Sequence, residues 1–168
     1  AGLAYDAFVV AYAHDKHFRI YNRFVYLLLI LRCLFHYRLQ RARVRFDGQE
    51  REGRFYTINV GIGRYSGGGM SLVPQSVPDD GRLALTLAGP VSKLGVLLNT
   101  WRFYNGSIGR HPLVDLYHAR TIEIESLDDR PVPLEADGEF LGETPVRFTV
   151  REKALRLIVP DGFSPESP

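Results

Sequence analysis

A mainly β fold, an antiparallel β-sandwich with an early packed helix and one short later helix, is what this sequence predicts, on three observations. From residue 40 onward apolar residues recur at every second position in short runs, the spacing of half-buried strands. Turn-forming clusters separate those runs, among them Asp47-Gly48, Asp79-Asp80-Gly81, Asn105-Gly106 and Asp137-Gly138. Before residue 40 the pattern differs: Phe24 to Leu31 is an uncharged apolar run of eight residues bracketed by Arg23 and Arg32. A membrane span needs about 18 such residues, so the run reads as a helix within the fold.

The 168 residues, 45% hydrophobic and 24% charged, suit one domain with a real core. A net charge of +2 gives no argument for nucleic acid, although Arg and Lys gather in the first third. Cys33 is the only cysteine, which excludes a disulfide within the chain and favours a reducing compartment. No signal peptide is visible, and a start at Ala1 without Met reads as a piece of something longer.

In chain order, Phe8 to Tyr12 suits either a strand or a helix start, and His14-Asp15-Lys16-His17 an exposed connection. Tyr21 to Tyr37 is expected to be a largely buried helix, with a helix lying in a membrane interface as the alternative. In Gln40 to Phe46, Ala42, Val44 and Phe46 alternate with Arg41, Arg43 and Arg45, a strand with a basic, solvated outer face. A loop from Asp47 to Gly53 and a returning strand from Arg54 to Val60 complete a hairpin. Arg82 to Ala88 alternates, with Leu83, Leu85 and Leu87 on one face. Pro90 suits a first helical turn, and Val91, Leu94, Leu98 and Trp101 follow at helical spacing as expected core. Asn105-Gly106-Ser107 reads as a turn rather than a glycosylation acceptor. Leu116 to Glu125 is expected as one strand, Asp128 to Pro131 as a turn, and Pro145 to Val150 and Ala154 to Val159 as the last two strands. Asp161 to Pro168 reads as a frayed tail.

Three stretches carry candidate chemistry. Gly61 to Met70 holds the run Gly67-Gly68-Gly69, where missing Cβ atoms allow φ > 0 or the close approach of a ligand. It lacks the lysine of a Walker loop, so on its own it reads as a tight inter-strand loop or as the wall of a substrate cleft. Asp79-Asp80-Gly81 is a turn whose oxygens also suit Mg²⁺ or Ca²⁺. In Glu135-Ala136-Asp137-Gly138-Glu139, Asp137 and Glu139 would share a side on an extended backbone, while Asp-Gly equally suits a hairpin turn. His14, His17, His36, His111 and His118 show no metal-ligand spacing with the cysteine.

Val60 to Met70, Pro74, Asp79-Asp80-Gly81 and Ala136-Asp137-Gly138-Glu139, in that order, resemble the diacylglycerol kinase/sphingosine kinase family, above all its bacterial lipid kinase branch. The opening Gly2-Leu3-Ala4-Tyr5-Asp6-Ala7 and the ending Ala154 to Pro160 extend the resemblance over nearly the whole chain. The resemblance implies the C-terminal half of a two-domain, ATP-dependent kinase, with residues 1–160 as one β-sandwich domain and 161–168 as tail. The nucleotide-binding half, with its Gly-Gly-Asp-Gly-Thr motif, is absent from these residues.

It further implies Asp137 as the base that takes the lipid hydroxyl proton, with Glu139 beside it, and Gly67, Gly68 and Gly69 at the substrate cleft. Asp80 would ligate a structural Mg²⁺ with the carbonyls of Val77 and Arg82, and ATP would bind mainly to the missing half. Ile62 stands where the branch usually has Asn, and Gln75 where Asp is common.

The expected activity is phosphorylation of a hydroxyl of diacylglycerol or a related lipid by the parent protein, the isolated chain being inactive. The expected location is the cytoplasm, peripheral to the inner membrane face. Lipid and ATP are the expected partners, nucleic acid is not, and homodimer formation is open. The alternatives are a non-catalytic β-sandwich lipid- or partner-binding module, and a relative of the NAD kinases.

Overall fold

The computed structural model describes residues 1–15, 23–66, 68–156 and 158–160. In chain order the strands are β1 (Gly2–Ala4), β2 (Gln40–Phe46), β3 (Gln49–Phe55), β4 (Thr57–Gly61), β5 (Tyr65–Ser66), β6 (Met70–Ser71), β7 (Leu83–Ala88), β8 (Val114–Ala119), β9 (Thr121–Ser126), β10 (Pro133–Ala136), β11 (Glu139–Glu143) and β12 (Val146–Thr149). Helices α1 (Tyr5–Asp15) and α2 (Arg23–His36) follow β1, and α3 (Lys93–Asn99) and α4 (Trp101–Tyr104) follow β7.

Two antiparallel sheets carry the fold, one in the order β11-β10-β1-β4-β7-β8 and one in the order β12-β9-β2-β3, with β5-β6 as a small hairpin. One apolar cluster joins them, with Leu3, Ile58, Leu85 and Leu87 from the six-stranded sheet and Val44, Phe46, Ile122 and Ile124 from the four-stranded one. The mainly β, antiparallel class expected from the period-two runs is the class observed.

Several element boundaries differ from expectation. The turn after β2 has only two residues, because Asp47 and Gly48 both take positive φ (44° and 82°), the conformation that matches strand twist in a tight hairpin. The return therefore starts at Gln49, and its polar residues find partners across the ladder: Glu52 on Arg43, Glu50 on Arg45. Thr57–Gly61 is a separate strand in the other sheet. The expected strand from Leu116 to Glu125 breaks at Arg120, where the chain passes from one sheet to the other. There the N–H groups of Arg120 and Thr121 donate to the Asp47 carboxylate at 2.9 and 3.1 Å. Residues 154–156 and 158–160 form no strand, and Leu155 and Ile158 are exposed. Alternation supplies a face to bury, but a strand also needs an edge to pair with.

The helices need correcting too. The Phe8 to Tyr12 run lies inside α1. The predicted helix at Tyr21 to Tyr37 is present as α2, but it is two-sided: Leu29, Cys33 and Leu34 are buried while Leu28 and Phe35 face solvent. Helix α3 begins at the N-cap Ser92, whose hydroxyl accepts the Gly95 N–H at 3.0 Å, so Pro90 lies before it. Leu94 and Leu98 of this helix and Trp101 of α4 are 65, 66 and 55% exposed, so they are not core. Lys16-His17, Gly67 and the tail at 161–168 lie outside the described residues.

Candidate functional site: an apolar cavity with an acidic end

β1 is three residues long and sits between β10 and β4. Leu3, Ile58 and Leu134 pair across those strands and point into the core, so the alternate residues of the same strands face the opposite side. That side carries a polar row, with Gly2 facing Glu135 on one neighbour and Asn59 on the other, and Ala4 facing Thr57. Ala4 adopts φ 68°, and the chain turns at once into α1, which brings Asp6 back over the row. Gly2 makes the approach feasible: a Cβ there would lie 2.6 Å from Glu135 Oε1 and 2.9 Å from Asp6 Cβ.

The resulting cluster is tightly bonded. The Thr57 hydroxyl donates to Asp6 Oδ2 at 2.6 Å, and Asn59 Nδ2 donates to the Thr57 oxygen at 3.2 Å. Burial pushes the Asp6 carboxyl up to about 6; the Thr57 hydrogen bond opposes this and the charge of Glu135 adds to it. Glu135 Oε2 accepts the Gly138 N–H at 3.0 Å, which pins the turn between β10 and β11.

Beyond this cluster opens a cavity of about 480 Å³. Asp6, Thr57, Glu135, Asp137 and Gly138 form its polar end. The rest is chiefly apolar: Val9 and Val10 from α1, Ile30, Leu31 and Leu34 from α2, Val96, Leu97, Phe103 and Tyr104 from α3 and α4, and Met70 and Leu72. Such a chamber suits a long apolar group whose polar end meets the carboxylates.

Asp137 is exposed on the rim of this cavity, in the hairpin turn, with φ 52° followed by 85° at Gly138. The extended backbone that would set Asp137 and Glu139 on one side is therefore absent; Glu139 starts β11, exposed and off the cavity lining. Gly68 and Gly69, with φ 81° and 97°, form the exposed tip of the β5-β6 hairpin, whose Tyr65, Ser66 and Met70 line the cavity. Gly67 is not among the described residues.

Asp80 lies in an exposed turn away from the lining. Its Oδ1 accepts the Arg82 N–H at 2.8 Å, and its own N–H reaches the Val77 carbonyl at 3.5 Å. Among the described residues no three Asp, Glu, His or Cys side chains converge as a metal cluster. Gln75 is a structural tie, its Nε2 donating to the carbonyls of Leu85 and Tyr117 at 3.1 and 3.3 Å. Ile62 is 49% exposed.

Reading the sequence assigned no role to Asp6, Thr57, Asn59 or Glu135, although Asp6 stands in the opening motif and Glu135 beside Asp137. The signal was the conjunction of Gly2 and Asp6 just before a helix, and it needs β4 and β10 beside it to mean anything.

Comparison with known proteins identifies the architecture. The family model described as "YegS C-terminal NAD kinase beta sandwich-like domain" matches residues 1–159. A protein of Pseudomonas fluorescens named "Probable lipid kinase YegS-like" is 34% identical over 110 residues, 65% of this chain and 35% of that protein. One of the same name from Pseudomonas aeruginosa is 35% identical over 115 residues, 66% of this chain and 35% of its own length. The "Diacylglycerol kinase" of Staphylococcus carnosus is 27% identical over 121 residues, 71% of this chain and 38% of that enzyme. The chain thus spans little more than a third of the length of these curated relatives. A crystal structure of a putative diacylglycerol kinase from Bacillus anthracis shares the fold, with a TM-score of 0.56 and 21% identity over 76% of this chain and 41% of that one. With a family model matched over residues 1–159, the chain belongs to the YegS C-terminal, NAD kinase β-sandwich-like domain family, whose relatives here carry the names of lipid and diacylglycerol kinases.

Proposed function

We propose that this domain is the lipid-substrate and catalytic-base half of an ATP-dependent lipid kinase that phosphorylates a hydroxyl of diacylglycerol or a related lipid. The observation that carries the reading is the apolar cavity ending in Asp6, Glu135 and Asp137, with Asp137 on its rim. An acyl chain would occupy the apolar part, which leaves the lipid's hydroxyl at the acidic end. Asp137 takes the hydroxyl proton as the oxygen attacks the terminal phosphoryl group of ATP. Glu135 holds the base in place through the Gly138 N–H, so it acts as a positioning residue. On resemblance alone, Glu139 is assigned a supporting role beside Asp137, and Gly67, Gly68 and Gly69 a place at the substrate cleft.

ATP would be held mainly by an α/β half that these residues do not include. Asp80 and the carbonyls of Val77 and Arg82 are an all-oxygen set of the kind Mg²⁺ takes, with one Asp80 oxygen already committed to the Arg82 N–H. Bound there, Mg²⁺ would brace the loop between β6 and β7. The reading treats residues 1–160 as one domain of a cytoplasmic protein that visits the inner membrane face.

The test is lipid-dependent ADP release by the full-length protein. Asp137→Asn should lower kcat about 10²-fold or more, the scale of losing a general base, with little change in KM for the lipid. A variant within threefold of the parent would remove Asp137 from the mechanism.

A further inference from the structure

The apolar residues placed at helical spacing in α3 and α4 face away from the interior. Leu94, Leu98 and Trp101 follow one another at i, i+4 and i+7 and are 65, 66 and 55% exposed. Helices of a water-soluble fold normally turn such a stripe inward. Here the inner side of the same helices is already taken up by Val96, Thr100 and Phe103, which line the cavity. The helices are therefore apolar on both sides, one toward the cavity and one toward whatever lies outside.

Across from this stripe, α2 presents Leu28 and Phe35, 59 and 61% exposed. The two surfaces are tied together: Lys93 Nζ donates to the Phe35 carbonyl at 2.6 Å and sits 5.6 Å from the Phe35 ring centre. The Arg102 guanidinium lies 5.1 Å from the Trp101 ring centre.

Charge identifies the occupant. Between Pro90 and Tyr104 the only ionisable side chains besides that tyrosine are Lys93 and Arg102, and from Leu28 to Arg38, besides Cys33 and Tyr37, there are Arg32, His36 and Arg38; neither stretch holds an Asp or Glu. The core of a protein interface is also poor in Asp and Glu, but it is poor in lysine too, whereas Lys93 stands on this face beside Phe35. An apolar stripe with a tryptophan, on helical stretches whose charged side chains are all basic, matches the boundary of a bilayer that carries anionic lipid.

We propose that the outer face of α3 and α4, with Leu28 and Phe35 of α2, seats the protein on an anionic membrane surface. Leu94, Leu98 and Trp101 enter the acyl boundary, and Lys93 and Arg102 meet phosphate headgroups. The helices that dock thus also wall the cavity, so a lipid moves from bilayer to cavity without leaving apolar surroundings. This last step rests on the lipid-kinase reading; the docking itself does not.

Trp101 is the only tryptophan of the chain, so its fluorescence reports on this face directly. The experiment uses the protein with Trp101 as its sole tryptophan, titrated with vesicles of phosphatidylcholine alone or with 30% phosphatidylglycerol. With anionic vesicles the emission should shift to the blue and be quenched by brominated acyl chains, and raising salt should reverse both. Leu98→Glu and Leu94→Glu, at exposed sites where folding tolerates charge, should each weaken binding about tenfold, the scale of withdrawing one large apolar side chain.

Unshifted emission at every lipid composition would overturn the proposal. So would lipid-free emission already blue-shifted and shielded from acrylamide, which would mean that another part of the protein or a second copy covers the face. The kinase reading fails separately: with a short-chain, water-soluble acceptor, Leu98→Glu should keep the parent's activity while Asp137→Asn loses it.

Discussion

Asp6 carries the clearest electrostatic consequence in the molecule. Its carboxyl is pushed up to about 6, first by burial, so the folded protein holds that proton more tightly than the unfolded chain, where the usual value is 3.8. Stability is therefore greatest below about pH 4 as far as this group is concerned, falls as pH rises through 4 to 6, and stays lower above. Asp6→Asn keeps an oxygen for the Thr57 hydroxyl and removes the titration. At pH 7.5 it should be more stable than the parent by about 1–3 kcal/mol, and the difference should vanish toward pH 4. Urea unfolding at both pH values checks this, and a difference that is the same at each would refute the assignment.

At the scale of elements, one side chain sets where two strands end. The Asp47 carboxylate accepts the N–H groups of Arg120 and Thr121, so the β2-β3 turn clamps the corner at which β8 gives way to β9. Losing the acceptor removes these bonds from both donors. Asp47→Ala should cost about 1–3 kcal/mol in urea unfolding, with the slope of the transition unchanged. The ion pairs of the neighbouring ladder, Arg43 with Glu125 and Arg45 with Glu50 at 2.6 and 2.7 Å, are solvent-facing, and such pairs contribute about 1 kcal/mol or less each. The Asp47 corner outweighs any one of them.

Across the whole molecule the sandwich stands on its shared core rather than on its charged faces. Leu85 is fully buried in β7, between β4 and β8, with buried neighbours on both faces of the strand. Leu85→Ala should cost about 2–5 kcal/mol in thermal or urea unfolding, and Arg45→Ala under about 1 kcal/mol. The sequence by itself determined the class and most of the turns, because period-two alternation and Asp-Gly or Asn-Gly pairs act over neighbouring residues. It also determined the family, through an ordered set of short motifs. Only the tertiary structure decided which way a face points. Leu94, Leu98 and Trp101 have the spacing of a buried stripe, but spacing defines a stripe without naming its neighbour. The acidic end of the cavity was hidden for the same reason. Asp6, Thr57 and Glu135 meet because a three-residue strand inserts between β4 and β10, and pairing between segments that distant in the chain leaves no mark in local pattern.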